Sequence, residues 1–300
     1  MHPLDSENHP KLNQLSIHPI HSVETGGLDY FFIEQGEGPV IFMLHGFPDM
    51  ANTWDESITA LSKTHRVIAP FLRGYYPTSI PEDRNYSVKK IAQDIIDLAS
   101  KLGIKRFHVI GQDWGASIAY AMANLAPERI IRLVALAIPH PSVLKLTPKI
   151  LFAGRHFIVF KSKKRALQVT KKDNFAYIDT LYRRWSPDFD DFARSSNAIK
   201  ETFRHPGRLE AALGYYWSYF RDKAKKEMTL FYNQVPNVPV LFLAGENDIA
   251  VSKKILSDME TKMPKGSKVV LFRNAGHFLH REIFNQFIEE AQIFLSIEND

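Results

Sequence analysis

The 300 residues contain no cysteine. That absence removes structural disulfides, thiol nucleophiles, thiolate metal sites and iron–sulfur clusters together, and it fits a reducing compartment. Long apolar runs are missing too: none approaches the about 18 residues that a membrane-spanning helix needs. The opening MHPLDSENHPKLNQ is polar and mixed in sign, unlike a cleavable secretory signal. A soluble, cytoplasmic protein without a membrane span is expected. Neither GxGxxG nor GxxxxGKS occurs, so no nucleotide cofactor is implied. His2, His9, His18 and His21 follow no metal-binding spacing and lack a matching carboxylate set, so we expect no metal and a tag-like or solvated role for them.

What is present is the make-up of a globular protein, 45% hydrophobic and 24% charged. The length is about twice that of a usual domain, which fits two domains or one large domain with an insertion. Two β-rich stretches, LNQLSIHPI from Leu12 and LDYFFIE ending at Glu34, flank the turn-forming Thr25-Gly26-Gly27 and predict an opening antiparallel pair. A short, wholly apolar run at Val40–Leu44 is followed by similar runs at Arg66–Ala69, Phe107–Ile110, Ile130–Ile138, Val240–Ala244 and Val269–Phe272. Strands apolar on both faces belong to a buried parallel sheet. Between them lie helical patterns, the clearest with Val88, Ile91, Ile95, Leu98 and Leu102 on one face, Ser87 as its cap and Gly103 as its stop.

From Pro141 to Pro236 the alternation ceases, and aromatic, charged, helix-like sequence takes over. This predicts a core of residues 1–140 and 236–300 carrying an inserted helical cap at 141–235. The net charge of +5 divides unevenly: Pro141 to Gln234 holds 19 basic and 9 acidic residues, the remainder 19 and 24. The basic run KSKKRALQVTKK at Lys161–Lys172 is expected to be mainly a solvated face, with contact to an anion or acidic surface as the alternative. No nucleic-acid-binding module accompanies it, so no nucleic-acid partner is expected.

The strongest local signal is FHVIGQDWG at Phe107–Gly115, a buried strand running through Gly-Gln-Asp-Trp-Gly into ASIAYAMANLA. Glycines two residues either side of a central residue permit the sharp turn of a nucleophile elbow, here exposing Asp113. Asp113 as a simple helix cap is the competing reading. His45-Gly46-Phe47-Pro48 follows the third strand, where the backbone N–H groups of Phe47 and Trp114 would form an oxyanion hole. VPVLFLAGENDIAV places Asp248 past one strand and KVVLFRNAGHFLH places His277 past the next. The order Asp113, Asp248, His277 is that of nucleophile, acid and base in this architecture. Glu246 and Asn247 share the loop with Asp248, which could instead shape a turn.

HGFP, RGYYPTS at Arg73–Ser79, GQDWG and AGH at Ala275–His277 resemble, in order, the α/β-hydrolase superfamily, and within it the epoxide hydrolase and haloalkane dehalogenase branch that uses Asp at the elbow. The resemblance spans Leu12 to the end. It implies an α/β-hydrolase fold, with a mostly parallel eight-stranded sheet flanked by helices and covered by the cap. The aromatic third residue of HGFP is more like epoxide hydrolases, since dehalogenases usually place Asn or Glu there. Fluoroacetate dehalogenases carry Arg after the nucleophile, where this chain has Trp114. The resemblance also implies two cap proton donors: Tyr216, in LGYYW, matches the second tyrosine of epoxide hydrolases. His156, in GRHFIVFK, stands where the first would fall, as in members that pair His with Tyr. His45, Pro48, Trp114 and Phe278 would line the pocket.

The expected chemistry is cofactor-free opening of a small-molecule epoxide to a vicinal diol. Asp113 forms an alkyl ester and His277, supported by Asp248, directs water to hydrolyse it. Carbon–halogen hydrolysis of an organohalide through the same ester is the alternative, with Trp114 contacting halide. A ligand-binding scaffold without catalysis is disfavoured by the complete Asp, Asp, His set, and an esterase by the lack of Ser at the elbow. LYRRWSP at Leu181–Pro187 has no assigned role beyond Trp185 anchoring cap to core.

Overall fold

The computed structural model describes residues 14–144, 147–248 and 251–296. His2, His9, Leu12 and Asn13 lie outside them. Eight strands, β1 (Ile20–Thr25), β2 (Leu28–Gln35), β3 (Val40–Leu44), β4 (Arg66–Pro70), β5 (Phe107–Gln112), β6 (Ile130–Leu136), β7 (Val240–Gly245) and β8 (Lys268–Phe272), form one sheet in the order β1-β2-β4-β3-β5-β6-β7-β8. β1 and β2 pair antiparallel, as do β2 and β4; every pair from β4 to β8 is parallel. This is the mostly parallel α/β-hydrolase sheet expected. The six residues of β5, at its centre, are all buried, as are the six of β7.

The first strand departs from expectation. Residues 14–19 of LNQLSIHPI are not strand: β1 starts at its last residue, Ile20. Ser16 donates to Asp55 Oδ1 at 2.6 Å, the Ile17 N–H bonds Asp55 Oδ2, and His18 Nε2 meets the Asp55 carbonyl at 2.9 Å. The segment is thereby tied to a helix, and Pro19 has no N–H to give a ladder. His18 is engaged rather than solvated, and His21 is half-buried against the Phe32 ring, so neither plays the tag-like role expected of it.

The flanking helices are α1 (Asp55–Leu61), α2 (Val88–Lys101), α3 (Trp114–Leu125), and, after the inserted helices, α10 (Lys253–Lys262), α11 (Leu279–Glu282) and α12 (Phe284–Leu295). α2 buries Val88, Ile91, Ile95 and Leu98; Ser87 Oγ accepts the Lys90 N–H, and Gly103 follows at φ 72°. α2 packs on α3 and α1 on α12. Between β6 and β7 run α4 (Pro148–Ala153), α5 (Arg155–Lys161), α6 (Lys163–Trp185), α7 (Phe192–Arg204), α8 (Arg208–Lys223) and α9 (Lys226–Asn233), with α6 broken by non-helical backbone at Lys172–Phe175. Because the strands concerned are parallel, the residues that follow β3, β5, β7 and β8 emerge on one edge of the sheet, the usual place for a site in such folds.

Candidate active site

β5 ends at Gln112 and α3 begins at Trp114, leaving Asp113 to make the turn at φ 54°, ψ −117°. For a residue with a side chain such a conformation costs about 1–3 kcal/mol and persists only where its surroundings enforce it. They do so through close backbone contact. A Cβ on Gly111 would lie 2.2 Å from the Gly115 carbonyl oxygen, and one on Gly115 would lie 2.0 Å from that of Leu44. Asp113 occupies the cap position of α3, yet its carboxylate accepts no capping bond. Its Oδ1 accepts instead from the backbone N–H of Phe47 at 2.9 Å, so the helix-cap reading does not describe this side chain. Trp114 contributes the first amide of the helix, adjacent to the carboxylate by chain connectivity.

The other oxygen, Asp113 Oδ2, faces Nε2 of His277 at 3.4 Å, and His277 Nδ1 lies 2.8 Å from Asp248 Oδ2. Asp248 is the polar residue of its loop that turns inward: Glu246 is exposed, and Asn247 donates to Asp188. Burial of the His277 ring opposes its proton, but the charge of Asp248 and the contact with Asp113 outweigh it and raise its pKa to about 10. At 3.4 Å Nε2 has no aligned acceptor.

Tyr216, on α8, is buried with its ring 5.4 Å from Phe47 and 5.1 Å from Trp114. Burial and then the charge of Asp113 push this phenol well above its ordinary pKa, so it keeps its proton. His156, on α5, lies 5.7 Å from the Tyr216 ring and 4.9 Å from Trp185. Burial, then the charges of Arg184 and His277, lower it to about 3, which leaves a neutral imidazole with one N–H to donate. Its Nδ1 has no partner among the described residues. The structure thus gathers Asp113, His277, Asp248, Tyr216, His156, Phe47 and Trp114 around one point.

The expected lining residues separate. Both ring nitrogens of His45 are engaged: Nε2 accepts the Leu72 N–H at 3.1 Å, and Nδ1 lies 3.1 Å from the Gly46 carbonyl. His45, lowered to about 4 by burial, holds the loop of Phe47 in place. The Pro48 carbonyl accepts the Tyr182 hydroxyl, and Phe278 stacks on the Tyr182 ring at 4.5 Å. Arg73, from RGYYPTS, is buried in ion pairs with Asp94 and Asp83.

Sequence reasoning missed Ser186 and Glu282. Ser186 Oγ accepts the backbone N–H of His277 at 2.9 Å and donates to Glu282 Oε1 at 2.6 Å. Glu282 also accepts the N–H groups of Gly276 and Phe278. The Trp185 carbonyl takes the His277 N–H as well, and the Trp185 ring packs 5.1 Å from the imidazole. LYRRWSP therefore acquires a role: it grips the loop that carries His277. Gly276 allows the grip, since a Cβ there would stand 2.6 Å from both Ser186 Oγ and the Trp185 carbonyl oxygen. The available signal was the unexplained WSP itself.

A family model described as alpha/beta hydrolase fold matches residues 39–282. The chain is 28% identical over 279 residues to the AB hydrolase superfamily protein YfhM of Bacillus subtilis, covering 89% of this chain and 96% of that one. It is 25% identical to Epoxide hydrolase 4 of Homo sapiens, covering 89% and 76%. Among solved structures, an epoxide hydrolase from Vigna radiata superposes with a TM-score of 0.75 at 23% identity, covering 92% of this chain and 97% of that one.

Proposed function

The chain belongs to the α/β-hydrolase fold family, and from that premise we propose that it is an epoxide hydrolase, with residues 141–235 acting as a cap over a core of 1–140 and 236–300. The observation that carries this reading is the pairing of Tyr216 with His156 beside Asp113. A departing alkoxide needs a proton, which a departing halide does not. Two neutral donors whose protons stay on at neutral pH suit the first leaving group.

Each step follows from a contact. With Oδ1 held by Phe47, Asp113 Oδ2 attacks a ring carbon; the C–O bond opens, and the oxygen takes its proton from Tyr216 or His156. Ester formation abolishes the charge of Asp113. One of the influences that keep His277 protonated is then gone, its pKa falls, and the neutral ring can take a proton from water while Asp248 stabilises the imidazolium. Water adds to the ester carbonyl carbon, and the charge that builds on Oδ1 meets the N–H groups of Phe47 and Trp114. The bond from that carbon to Oδ2 then breaks, the diol leaves with Oδ2 and the proton from the His277 imidazolium, and the remaining water proton, released as Asp113 returns to its carboxylate, restores the donor that opened the ring.

The test is a single turnover on styrene oxide in water enriched in heavy oxygen. A diol product with the label in the Asp113 carboxylate is expected. Label entering the diol directly, halide release from haloalkanes without any diol, or tight binding without turnover would each overturn the proposal.

A further inference from the structure

Nine large hydrophobic side chains are exposed among the described residues, and four of them, Leu144 (41%), Leu151 (55%), Phe152 (62%) and Ile158 (66%), fall within one fifteen-residue stretch. That density is more than scattered surface apolarity produces. The charge along this part of the chain has a single sign. Arg129 to Lys172 contains no Asp or Glu, while residues 141–172 hold nine Lys and Arg. Lys161, Lys163, Lys164 and Arg165 are exposed and form no ion pair among the described residues, whereas Lys171 and Lys172 pair with Glu210 and Asp173. Arg155 lies over the exposed Phe152 ring at 4.1 Å.

α5 shows how the patch is built. His156 and Phe160, four residues apart, are buried and face Tyr216; Ile158 and Lys161 lie exposed. The apolar exterior is therefore not a spare core face awaiting a neighbour within the chain. A second copy of this surface would bring cations against cations. A nucleic acid would meet the cations but offer no hydrocarbon to Leu151, Phe152 and Ile158. An anionic bilayer satisfies both sets, with acyl chains for the apolar side chains and headgroups for the basic ones.

We propose that α4, α5 and the start of α6 form a docking surface for an anionic lipid bilayer. Leu151, Phe152 and Ile158 enter the headgroup–acyl boundary, and Arg155, Lys161, Lys163, Lys164 and Arg165 lie against the lipid charge. The docking is peripheral and reversible, and it does not depend on the reaction that the chain catalyses.

Flotation of the full chain with vesicles tests this. Phosphatidylcholine vesicles containing phosphatidylserine should carry the protein at about 0.05 M salt and release most of it at about 0.5 M, where screening is strong. Pure phosphatidylcholine vesicles should carry little. The variant Lys163→Gln/Lys164→Gln/Arg165→Gln should lose about 100-fold in partitioning, at about five-fold per cation. Leu151→Ser/Phe152→Ser/Ile158→Ser should also partition weakly, with an unchanged melting temperature because these side chains are exposed. No flotation with the anionic vesicles overturns the proposal, as does flotation that neither triple variant reduces. A concentration-dependent dimer that the apolar triple variant dissolves overturns it in favour of a second copy.

Discussion

The hydroxyl of Ser186 accepts the backbone N–H of His277 while giving its own hydrogen to Glu282, a side chain 96 positions further along the chain. Replacing Ser186 with Ala removes one of two acceptors from the buried His277 amide and one of three donors from the half-buried Glu282 carboxylate. A loss of about 0.5–1.5 kcal/mol in stability is expected, the net worth of a hydrogen bond, because the amide keeps the Trp185 carbonyl and the carboxylate keeps the Gly276 and Phe278 amides. Thermal melting measures it. Single-turnover kinetics should find ester hydrolysis slowed more than ester formation, because only the former needs a well-placed His277. Equal slowing of both would argue against the role assigned to Ser186.

Gly276→Ala places a methyl group 2.6 Å from the Trp185 carbonyl oxygen. Backbone on both sides must move apart, at about 1–3 kcal/mol for an overpacked site. A variant that melts like the parent would mean that the α6 end and the His277 loop are not in contact in solution.

Tyr216→Phe and His156→Phe should each slow epoxide opening, and the pair together should slow it by about 10²–10⁴-fold, the usual worth of proton donation. Stopped-flow measurement of ester formation is the appropriate readout, since the later hydrolysis does not use these donors. The double variant matters most, because either donor alone can supply the proton.

His277→Gln should let the covalent ester accumulate to one per protein molecule, visible as the substrate's added mass in the intact chain. Asp113→Ala should never gain that mass. Diol formation by either variant at the parent rate contradicts the mechanism.

His277 binds its proton more tightly when folded, at about 10, than at the ordinary 6.5 of an unfolded chain. A raised folded pKa gives stability that is complete below the unfolded value and is lost as pH rises through the folded one. The melting temperature of the parent should therefore fall, relative to His277→Gln, as pH climbs from about 6.5 to about 10. A constant difference across that window would show that the imidazole is not held by Asp248 in this way.

The parallel strands were readable because VIFML, FHVI and VLFLA are buried on both faces and carry no helical period. β1, with sequence IHSVET, sits at the sheet margin, half-buried and polar in places, and lacks that signature. The apolar letters just before it drew the expectation one strand-length too early. Asp113 and Asp248 were readable because each closely follows such a run, and His277 because it closely follows VVLF, an apolar run at the sheet margin. Ser186 and Glu282 were not, because neither lies near a strand end, and an ordinary Glu among 33 acidic residues becomes distinctive only when two backbone amides and a hydroxyl converge on it.

The elbow that bends at Asp113 is also a gauge of folding. Its strained backbone is enforced by the Leu44 carbonyl from β3, its carboxylate is met by Phe47, and its histidine arrives from beyond β8, held by a serine from the end of α6. These parts lie between positions 44 and 282 and meet only when every intervening crossover has closed. A fragment or a partly collapsed chain thus has no weakened version of the reaction to offer. Recovery of turnover during refolding should trail the return of helical signal, and should mark the moment at which the last segment is seated.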